Sequence, residues 1–359
     1  MILMLSNMYP SAKYPNYGVF VRNLYNALSQ RMPMSKVVLH KHVNKARKIA
    51  AYLSYFTRSF FAVLNPKVKV VFISYASYNA LPTLVARFFG RRPLIVTNLH
   101  GSDVTTESRF AQKMNFLTAK IIRHSDMVIV PSQSFKEMSE QKYGYSGAVI
   151  SPSGGVDTTY FKPQHVKKNP TKLEIGYISR IDANKGWDIV LDAVAMLAPT
   201  HPELHLTMVG GGVSEADCAQ KIHDLHLEDV VTRINMLPQK DLLAQYSKLD
   251  LLVFPGAGTP TGESLGLVGL EAMACGVPVL GANLGGIATY VKPNYNGLLF
   301  DRFDVHSLAS GIEQFADMPS DVKAKLAQNA LTTAKQYDAA KVNEELADVL
   351  EKRYGKIVN

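Results

Sequence analysis

The chain has 359 residues, 47% of them hydrophobic and 19% charged, with a formal net charge of +9. That length amounts to about 2.4 typical domains, so two domains with ample cores are expected, and a disordered, collagen-like or coiled-coil chain is excluded. The two cysteines, Cys218 and Cys275, are too few and too far apart for a disulfide framework or a zinc knuckle and read as small buried residues in a reducing compartment.

Residues 2–5 form a buried-strand pattern, followed by a Pro/Asn/Tyr/Gly loop over residues 9–18 and a helical pattern over about 19–30. Phe20, Leu24, Ala27 and Leu28 share one face of that helix. Strand, loop and helix in that order open a doubly wound α/β domain. Five leading apolar residues are too few for a signal-peptide core, and no run of about 20 apolar residues occurs, so a cytoplasmic location is expected. Residues 68–74, 93–98 and 126–130 read as further strands. Their near-continuous apolar character suggests a parallel sheet buried on both faces. Pro, Gly and Ser gather over residues 151–164, where a domain join is expected. The pattern restarts with strands at 173–178, 204–209, 230–234, 251–255 and 277–281, separated by helical stretches, one of them over about 188–197. The last forty residues read as helix from 320 to about 354. Two rounds of strand–helix alternation predict two open α/β domains, each binding ligands outside the carboxyl ends of its strands.

The charge is unevenly spread. Residues 1–102 hold 14 Lys and Arg and no acid; the first carboxylate is Asp103. Residues 1–165 carry 21 basic and 6 acidic residues, net +15, and residues 166–359 carry 18 and 24, net −6. An anionic partner is expected for the first half. Within residues 41–69, Lys41, Lys45, Arg47, Lys48 and Arg58 interleave with Tyr52, Tyr55, Phe56, Phe60 and Phe61 around a helical centre. Such a segment suits an anionic membrane surface, with core-facing aromatics and solvated cations as the bland alternative. Nucleic acid is disfavoured because no recognition module accompanies the charge.

Residues 262–286 are the most informative: G-E-S-L-G-L-V-G-L-E-A-M-A-C-G-V-P-V-L-G-A-N-L-G-G. Glu263 and Glu271 stand eight apart, and a helix is expected to begin near Leu267. Eight residues is slightly more than two turns, so the carboxylates occupy successive levels of one wall. Loop N–H groups and the helix N-terminus are donors for phosphate, and each carboxylate accepts from hydroxyls. Phosphate flanked by polyols describes a nucleotide sugar; on spacing alone, a Gly-rich turn with two surface glutamates competes evenly.

The segment resembles the E-x7-E motif of retaining glycosyltransferases of the GT-B fold, glycosyltransferase family 4, of the bacterial surface-polysaccharide type. The resemblance runs in order through the 9–18 loop, H-G-S-D (100–103), G-V-D-T-T-Y-F-K-P, S-R-I-D-A-N-K-G (179–186), V-G-G-G (209–212) and E-x7-E. It implies a GT-B fold of two Rossmann-like doubly wound domains facing an interdomain cleft, with hinge closure around the donor. Its domains would be residues 1–160 for the acceptor, 161–335 for the nucleotide sugar, and a C-terminal helix, 336–359, crossing back to the first. It implies that Arg180 and Lys185 clamp the donor diphosphate, that Glu271 bonds the nucleotide ribose and that Glu263 faces the sugar hydroxyls. Gly210 and the backbone of Ser264, Leu265, Gly266 and Leu267 would complete the donor site. Gly18 would let the first loop approach the diphosphate, His100 would lie near the reacting carbon, and Asp103 and Tyr17 would contact the acceptor.

The implied enzyme is a metal-independent, retaining hexosyltransferase that uses a UDP- or GDP-sugar. It would act on a lipid-linked oligosaccharide in exopolysaccharide, capsule or lipopolysaccharide synthesis, peripheral on the cytosolic face of the membrane. No cofactor or metal is expected, since the sequence has no D-x-D. Three features depart from the family pattern: Asn16-Tyr17-Gly18 has one glycine where relatives have two, Ser264 replaces a common Gly, and Pro260-Thr261 is less usual. A nucleotide-sugar 2-epimerase of the same fold and a non-catalytic partner subunit are the rival classes. The H-G-S-D and S-R-I-D-A-N-K-G wording opposes the first, and the presence of Arg180, Lys185, Glu263, Glu271 and His100 opposes the second.

Overall fold

The structure is a computed structural model that describes residues 1–14, 17–104, 109–169, 171–256 and 262–358, with the side chains of residues 109–112 set aside. Asn16, Pro260 and Thr261 lie outside the described residues. The chain divides into two compact units, one built of Met1–Gly155 with Ala339–Asn359 and the other of Val156–Asp338.

The first unit runs β1 (Ile2–Tyr9), α1 (Val19–Ser29), β2 (Met34–His40), α2 (Lys45–Leu64), β3 (Val70–Ser74) and α3 (Ala76–Phe88). It continues through β4 (Leu94–Asn98), α4 (Gly101–Val104), α5 (Arg109–Ile122), β5 (Met127–Val130), α6 (Gln133–Tyr143) and β6 (Val149–Ile150). The six strands form one parallel sheet in the order β2-β1-β3-β4-β5-β6. Helices cover both faces, which is why β1 is apolar without alternation. Leu3 and Leu5 join a core with Val63 of α2 and Ala76, Ala80 and Ala86 of α3. Ile2 and Met4 point the other way, as the period of two requires, into a core with Val21, Leu24 and Leu28 of α1.

The second unit runs β7 (Leu173–Ile178), α7 (Trp187–Leu197), β8 (Leu204–Val209), α8 (Glu215–Asp224), β9 (Val231–Ile234), α9 (Leu242–Tyr246) and β10 (Leu251–Phe254). Then follow α10 (Leu267–Ala274), β11 (Val279–Ala282), α11 (Ile287–Tyr290), β12 (Gly297–Phe300), α12 (Val305–Ala316) and α13 (Ser320–Gln336). Its sheet is again parallel, in the order β12-β11-β10-β7-β8-β9.

The helix expected over 320–354 is two helices. It breaks at Tyr337 and Asp338, and α14 (Ala339–Val358) begins beyond the break. The broken backbone is used elsewhere: the Tyr337 carbonyl accepts from Val156 N at 2.8 Å, and Asp338 forms a parallel bridge with Val156 and accepts from the Thr158 hydroxyl. Past the break, Leu346, Leu350, Tyr354 and Val358 of α14 enter the core built on Ile2, Met4, Val70 and Phe72.

Each sheet reverses its strand order once. In the first unit the reversal lies between β1 and β3, and in the second between β7 and β10. The loops leaving those strands part to opposite faces and leave a crevice at their carboxyl ends, where ligands bind in open α/β sheets. Among the described residues, no helix is long and apolar enough to cross a membrane.

Candidate functional site

In the second unit the crevice is walled by the β7–α7 loop, which carries Arg180 and Lys185, and by the loop entering α10, which carries residues 262–266. The first loop is pinned from below. The buried Tyr177 hydroxyl donates to the carbonyls of Arg180 and Lys185 at 3.1 and 3.0 Å, and Ile181 N donates to Gly211 O at 3.1 Å. Lys185 Nζ lies 2.7 Å from Glu263 Oε1, with only 14% and 23% of the two side chains exposed. Arg180 points outward, its side chain 60% exposed, and pairs with Asp182. Asp182 also accepts from Val213 N at 3.2 Å and so ties the cationic loop to the glycine loop after β8, where Gly210 N donates to Ile234 O at 3.0 Å.

The α10 loop is equally fixed. Gly286 N donates to Glu263 O at 2.7 Å, and the Tyr290 hydroxyl donates to Gly266 O at 2.9 Å. Leu265 is buried, and Ser264 is half-buried. Gly266 sits at φ 87, and a Cβ there would lie 2.7 Å from the Phe254 ring. Only glycine turns the chain into the helix at this distance. No side chain caps the N-terminus of α10, which starts at Leu267. Its first N–H groups give this end of the crevice a partial positive charge, while the Lys185 ammonium is balanced by Glu263.

One helical stretch further, Glu271 is buried. Its Oε1 accepts from Gln239 Nε2 at 2.7 Å and its Oε2 from the Tyr246 hydroxyl at 2.8 Å. Burial pushes its pKa above the usual carboxylate range, and those two bonds only partly offset that. Each oxygen keeps a second lone pair for a ligand hydroxyl.

In the first unit His100 follows β4 and is 6% exposed. Its ring stacks on Tyr75 at 4.2 Å and packs against Phe20 at 5.2 Å, and Ser74 Oγ lies 3.0 Å from Nε2. Burial lowers its pKa to about 3, so the imidazole is neutral at physiological pH. Asp103 is fully buried and spends its oxygens inside the fold. Oδ1 accepts from Ser77 N and Oγ at 3.1 and 3.2 Å, and Oδ2 accepts from His100 N at 3.0 Å. Tyr75 adopts a left-handed backbone at φ 64, unusual for a residue with a side chain. Gly18 is at φ 74, and a Cβ there would meet the Met8 backbone at 2.7 Å. The glycine is thus required by the return of the loop onto its own strand, a reason separate from any approach to phosphate. Tyr17, beside it, is half-buried.

The structure pairs Lys185 with Glu263, sets Arg180 and Gly210 on the loops after β7 and β8, places Ser264, Leu265, Gly266 and Leu267 at the entry to α10 with Leu265 in the core, and buries Glu271 on α10 against Gln239 and Tyr246, all in the second unit. Tyr17, Gly18, His100 and Asp103 fall in the first unit. Sequence reasoning passed over Tyr246 and Gln239, which hold Glu271, and Ser74 and Tyr75, which hold His100. No local pattern marks them. Among the described residues, no group of three or more His, Cys, Asp or Glu is placed to hold a metal ion.

Comparison with known proteins bears on both units. Residues 160–333 match the family model described as Glycosyl transferases group 1, and residues 18–160 match that described as Glycosyltransferase Family 4. The chain is 27% identical over 267 residues to a protein of Escherichia coli (strain K12) provisionally named colanic acid biosynthesis glycosyltransferase WcaL, covering 72% of this chain and 64% of that one. It is 28% identical over 257 residues to the GDP-mannose-dependent alpha-(1-6)-phosphatidylinositol monomannoside mannosyltransferase of Mycolicibacterium smegmatis, covering 68% of this chain and 66% of that one. The chain thus spans less than two thirds of the length of either relative. The solved structure of Anabaena Alr3699/HepE in complex with UDP shares the fold, with a TM-score of 0.77 at 20% identity over 98% of this chain and 100% of that one.

Proposed function

This chain belongs to glycosyltransferase family 4, and we propose that it transfers a sugar from a nucleotide-sugar donor to a lipid-linked glycan in polysaccharide synthesis, with retention of configuration. The observation that carries the reading is the crevice of the second unit. There the loop after β7, carrying the exposed Arg180 and Lys185, and the loop entering α10, whose Glu263 lies 2.7 Å from Lys185, flank the strand-order reversal between β7 and β10. That is the chemistry a departing diphosphate needs: fixed cations and aligned N–H groups where negative charge develops.

In this mechanism the bond between the anomeric carbon and the phosphate oxygen breaks, and the acceptor oxygen joins the same face. The departing phosphate oxygen takes the acceptor proton, so no protein nucleophile is needed. Glu263 holds Lys185 in place and accepts from the sugar hydroxyls, and Glu271 accepts from the ribose. With the clamp supplied by Arg180, Lys185 and α10, the reaction is proposed to run without a metal ion. His100, neutral and held by Ser74 and Tyr75, offers an uncharged polar group to the reacting sugar or acceptor. Asp103, buried and fully bonded, acts as a positioning residue for the His100 turn in place of the acceptor contact expected from the sequence.

The acceptor side is assigned to the first unit, whose opening 102 residues are free of acids. On α2, Ile49, Leu53 and Phe61 are 57%, 63% and 64% exposed, on a helix that also carries Lys45, Arg47, Lys48 and Arg58. This supports docking on an anionic membrane surface.

The test is a donor panel. UDP- and GDP-sugars are screened by thermal shift and by nucleotide release, with and without EDTA. Stabilisation and slow hydrolysis of one donor in the presence of chelator is the expected result. Binding of no nucleotide sugar would overturn the reading, and release of an epimerised nucleotide sugar would replace it with isomerisation.

A further inference from the structure

A pocket of about 150 Å³ opens in the first unit at the carboxyl ends of β1 and β2, against the first half of α2. It is much smaller than the roughly 300–1,000 Å³ of sites that enclose a whole small molecule, so it suits a single functional group. Lys41 and His42 enter it from the segment after β2, Lys48 and Tyr52 stand one turn apart on α2, and Tyr17 and Asn7 come from the end of β1 and its loop. Among the described residues lining it there is no carboxylate. The Lys41 ammonium lies 5.1 and 5.8 Å from the Tyr14 and Tyr17 ring centres, within cation–π reach of both. The Tyr17 phenol is pushed above its ordinary pKa, first by burial and then by Tyr52, so its hydroxyl remains a donor. Two ammonium groups and two phenolic O–H groups around a space without a carboxylate form a receptor for a compact oxyanion.

The pocket is also wired to the candidate reacting centre. Asn7 Oδ1 accepts from Asn79 Nδ2 at 3.2 Å, and the same amide nitrogen donates to the carbonyls of Ser74 and Tyr75 at 2.6 and 2.8 Å. Those are the two residues that bond and stack on His100. Tyr17 is itself among the groups that raise the Tyr75 phenol, after burial and Asp103. Nothing in the donor site needs this pocket.

We propose that it is an acceptor subsite for a phosphate monoester or diester, so that the sugar acceptor is a phosphate-bearing molecule anchored by Lys41, Lys48, Tyr17 and Tyr52. The inference rests on the transferase reading and narrows its acceptor class. The phosphate can belong to a soluble ester or to a lipid headgroup; the outward Ile49 and Leu53 of α2, flanking Lys48 and Tyr52, would meet acyl chains in the second case.

The experiment uses the full chain in an R180A/K185A background, where the diphosphate cations cannot take the probe. Binding of sn-glycerol 3-phosphate is measured by calorimetry. Binding to phosphatidylcholine vesicles, with and without phosphatidic acid, is measured by flotation. The K41Q/K48Q pair is compared with K67Q/K69Q, which removes equal charge elsewhere in the unit. At least a tenfold loss with K41Q/K48Q alone, for glycerol phosphate or only for phosphatidic acid vesicles, supports the subsite and identifies a soluble or a lipid-borne ester respectively. Equal binding by the two lysine pairs overturns it.

With Arg180 and Lys185 restored, K41Q/K48Q is expected to hydrolyse donor within twofold of wild type. Loss of that hydrolysis would move the pocket to the donor side and overturn the proposal. If wild type hydrolyses no donor while lysine-dependent anion binding persists, the transferase reading fails and the acceptor role with it, leaving a bare anion site.

Discussion

Lys185 meets two requirements with one group. Its ammonium neutralises Glu263 in a nearly buried pair, and it faces the space assigned to a departing diphosphate. Lys185→Ala is therefore expected to lower turnover about 10²–10³-fold, the usual cost of removing one preorganised electrostatic contact. Donor-hydrolysis kinetics on the purified variant check this, and turnover at the wild-type level would sink the clamp. Glu271 gives a prediction whose sign follows from burial. Burial holds its folded-state pKa above the ordinary carboxylate value, so between the two values the native state holds more protons than the unfolded chain. Stability from this group is present at low pH and declines as pH rises through that window. Glu271→Gln, which keeps acceptor and shape, is expected to gain in melting temperature relative to wild type as pH rises above the ordinary carboxylate range. Parallel melting curves over that rise would refute it. His100 works in the opposite sense: with a folded pKa of about 3, it resists protonation and costs stability as pH falls below its ordinary 6.5.

Elements were legible in the sequence where the physics is local. The strand at 173–178 and the start of α10 near Leu267 are read from apolar runs and glycine punctuation; β7 spans those residues and α10 starts there. The strand β2 (Met34–His40) went unread because, at one edge of its sheet, it is mostly half-buried, with Leu39 its one buried residue, and so lacks the run that marks a central strand. The candidate site divides in the same way. Glu263 and Glu271 are visible because they stand eight apart in one segment, whereas Arg180 and Lys185 enter only through the resemblance of S-R-I-D-A-N-K-G to the family's wording. Tyr246 and Gln239 reach Glu271 across 25 and 32 residues, a distance no local period encodes. The amphipathic α2 was foreseen, but its aromatic residues divide between faces: Tyr55 is buried with its hydroxyl 2.7 Å from Asn79 Oδ1, and Phe61 is exposed. The apolar surface extends to the end of α3, where Phe88 and Phe89 are 86% and 68% exposed and Phe89 meets Phe60 edge-on. F88S/F89S is expected to cut recovery on anionic vesicles several-fold, while leaving stability within about 0.5 kcal/mol, as surface changes do. Flotation and a thermal melt test both halves, and undiminished flotation would remove these side chains from the membrane-facing surface.

For the whole molecule, the two units differ in how the chain assembles them. The second is one continuous stretch, Val156–Asp338, and the first is discontinuous, completed by Ala339–Asn359. Leu350 of α14 is 1% exposed in the core that contains Ile2, Met4 and Phe72. Leu350→Asp buries an unpaired carboxylate and is expected to unfold the first unit alone. Trp187 opens α7 in the second unit and is the single tryptophan of the chain. Its fluorescence melt should stay put while the far-ultraviolet signal loses amplitude. A shift of both together would show that the units melt as one.

The passage of α14 into the first unit also sets a clock. Its buried face lies beyond the whole second unit in chain order, and Val358 O accepts a hydrogen bond from the Met1 ammonium at 3.3 Å. At roughly 5–20 residues per second, the ribosome needs on the order of 10–40 s to make the intervening residues. Throughout that interval, Ile2, Met4, Val70 and Phe72 lack their final cover. Within this stretch the unit whose strands are made first is completed last, and its apolar face stays uncovered until α14 has been made.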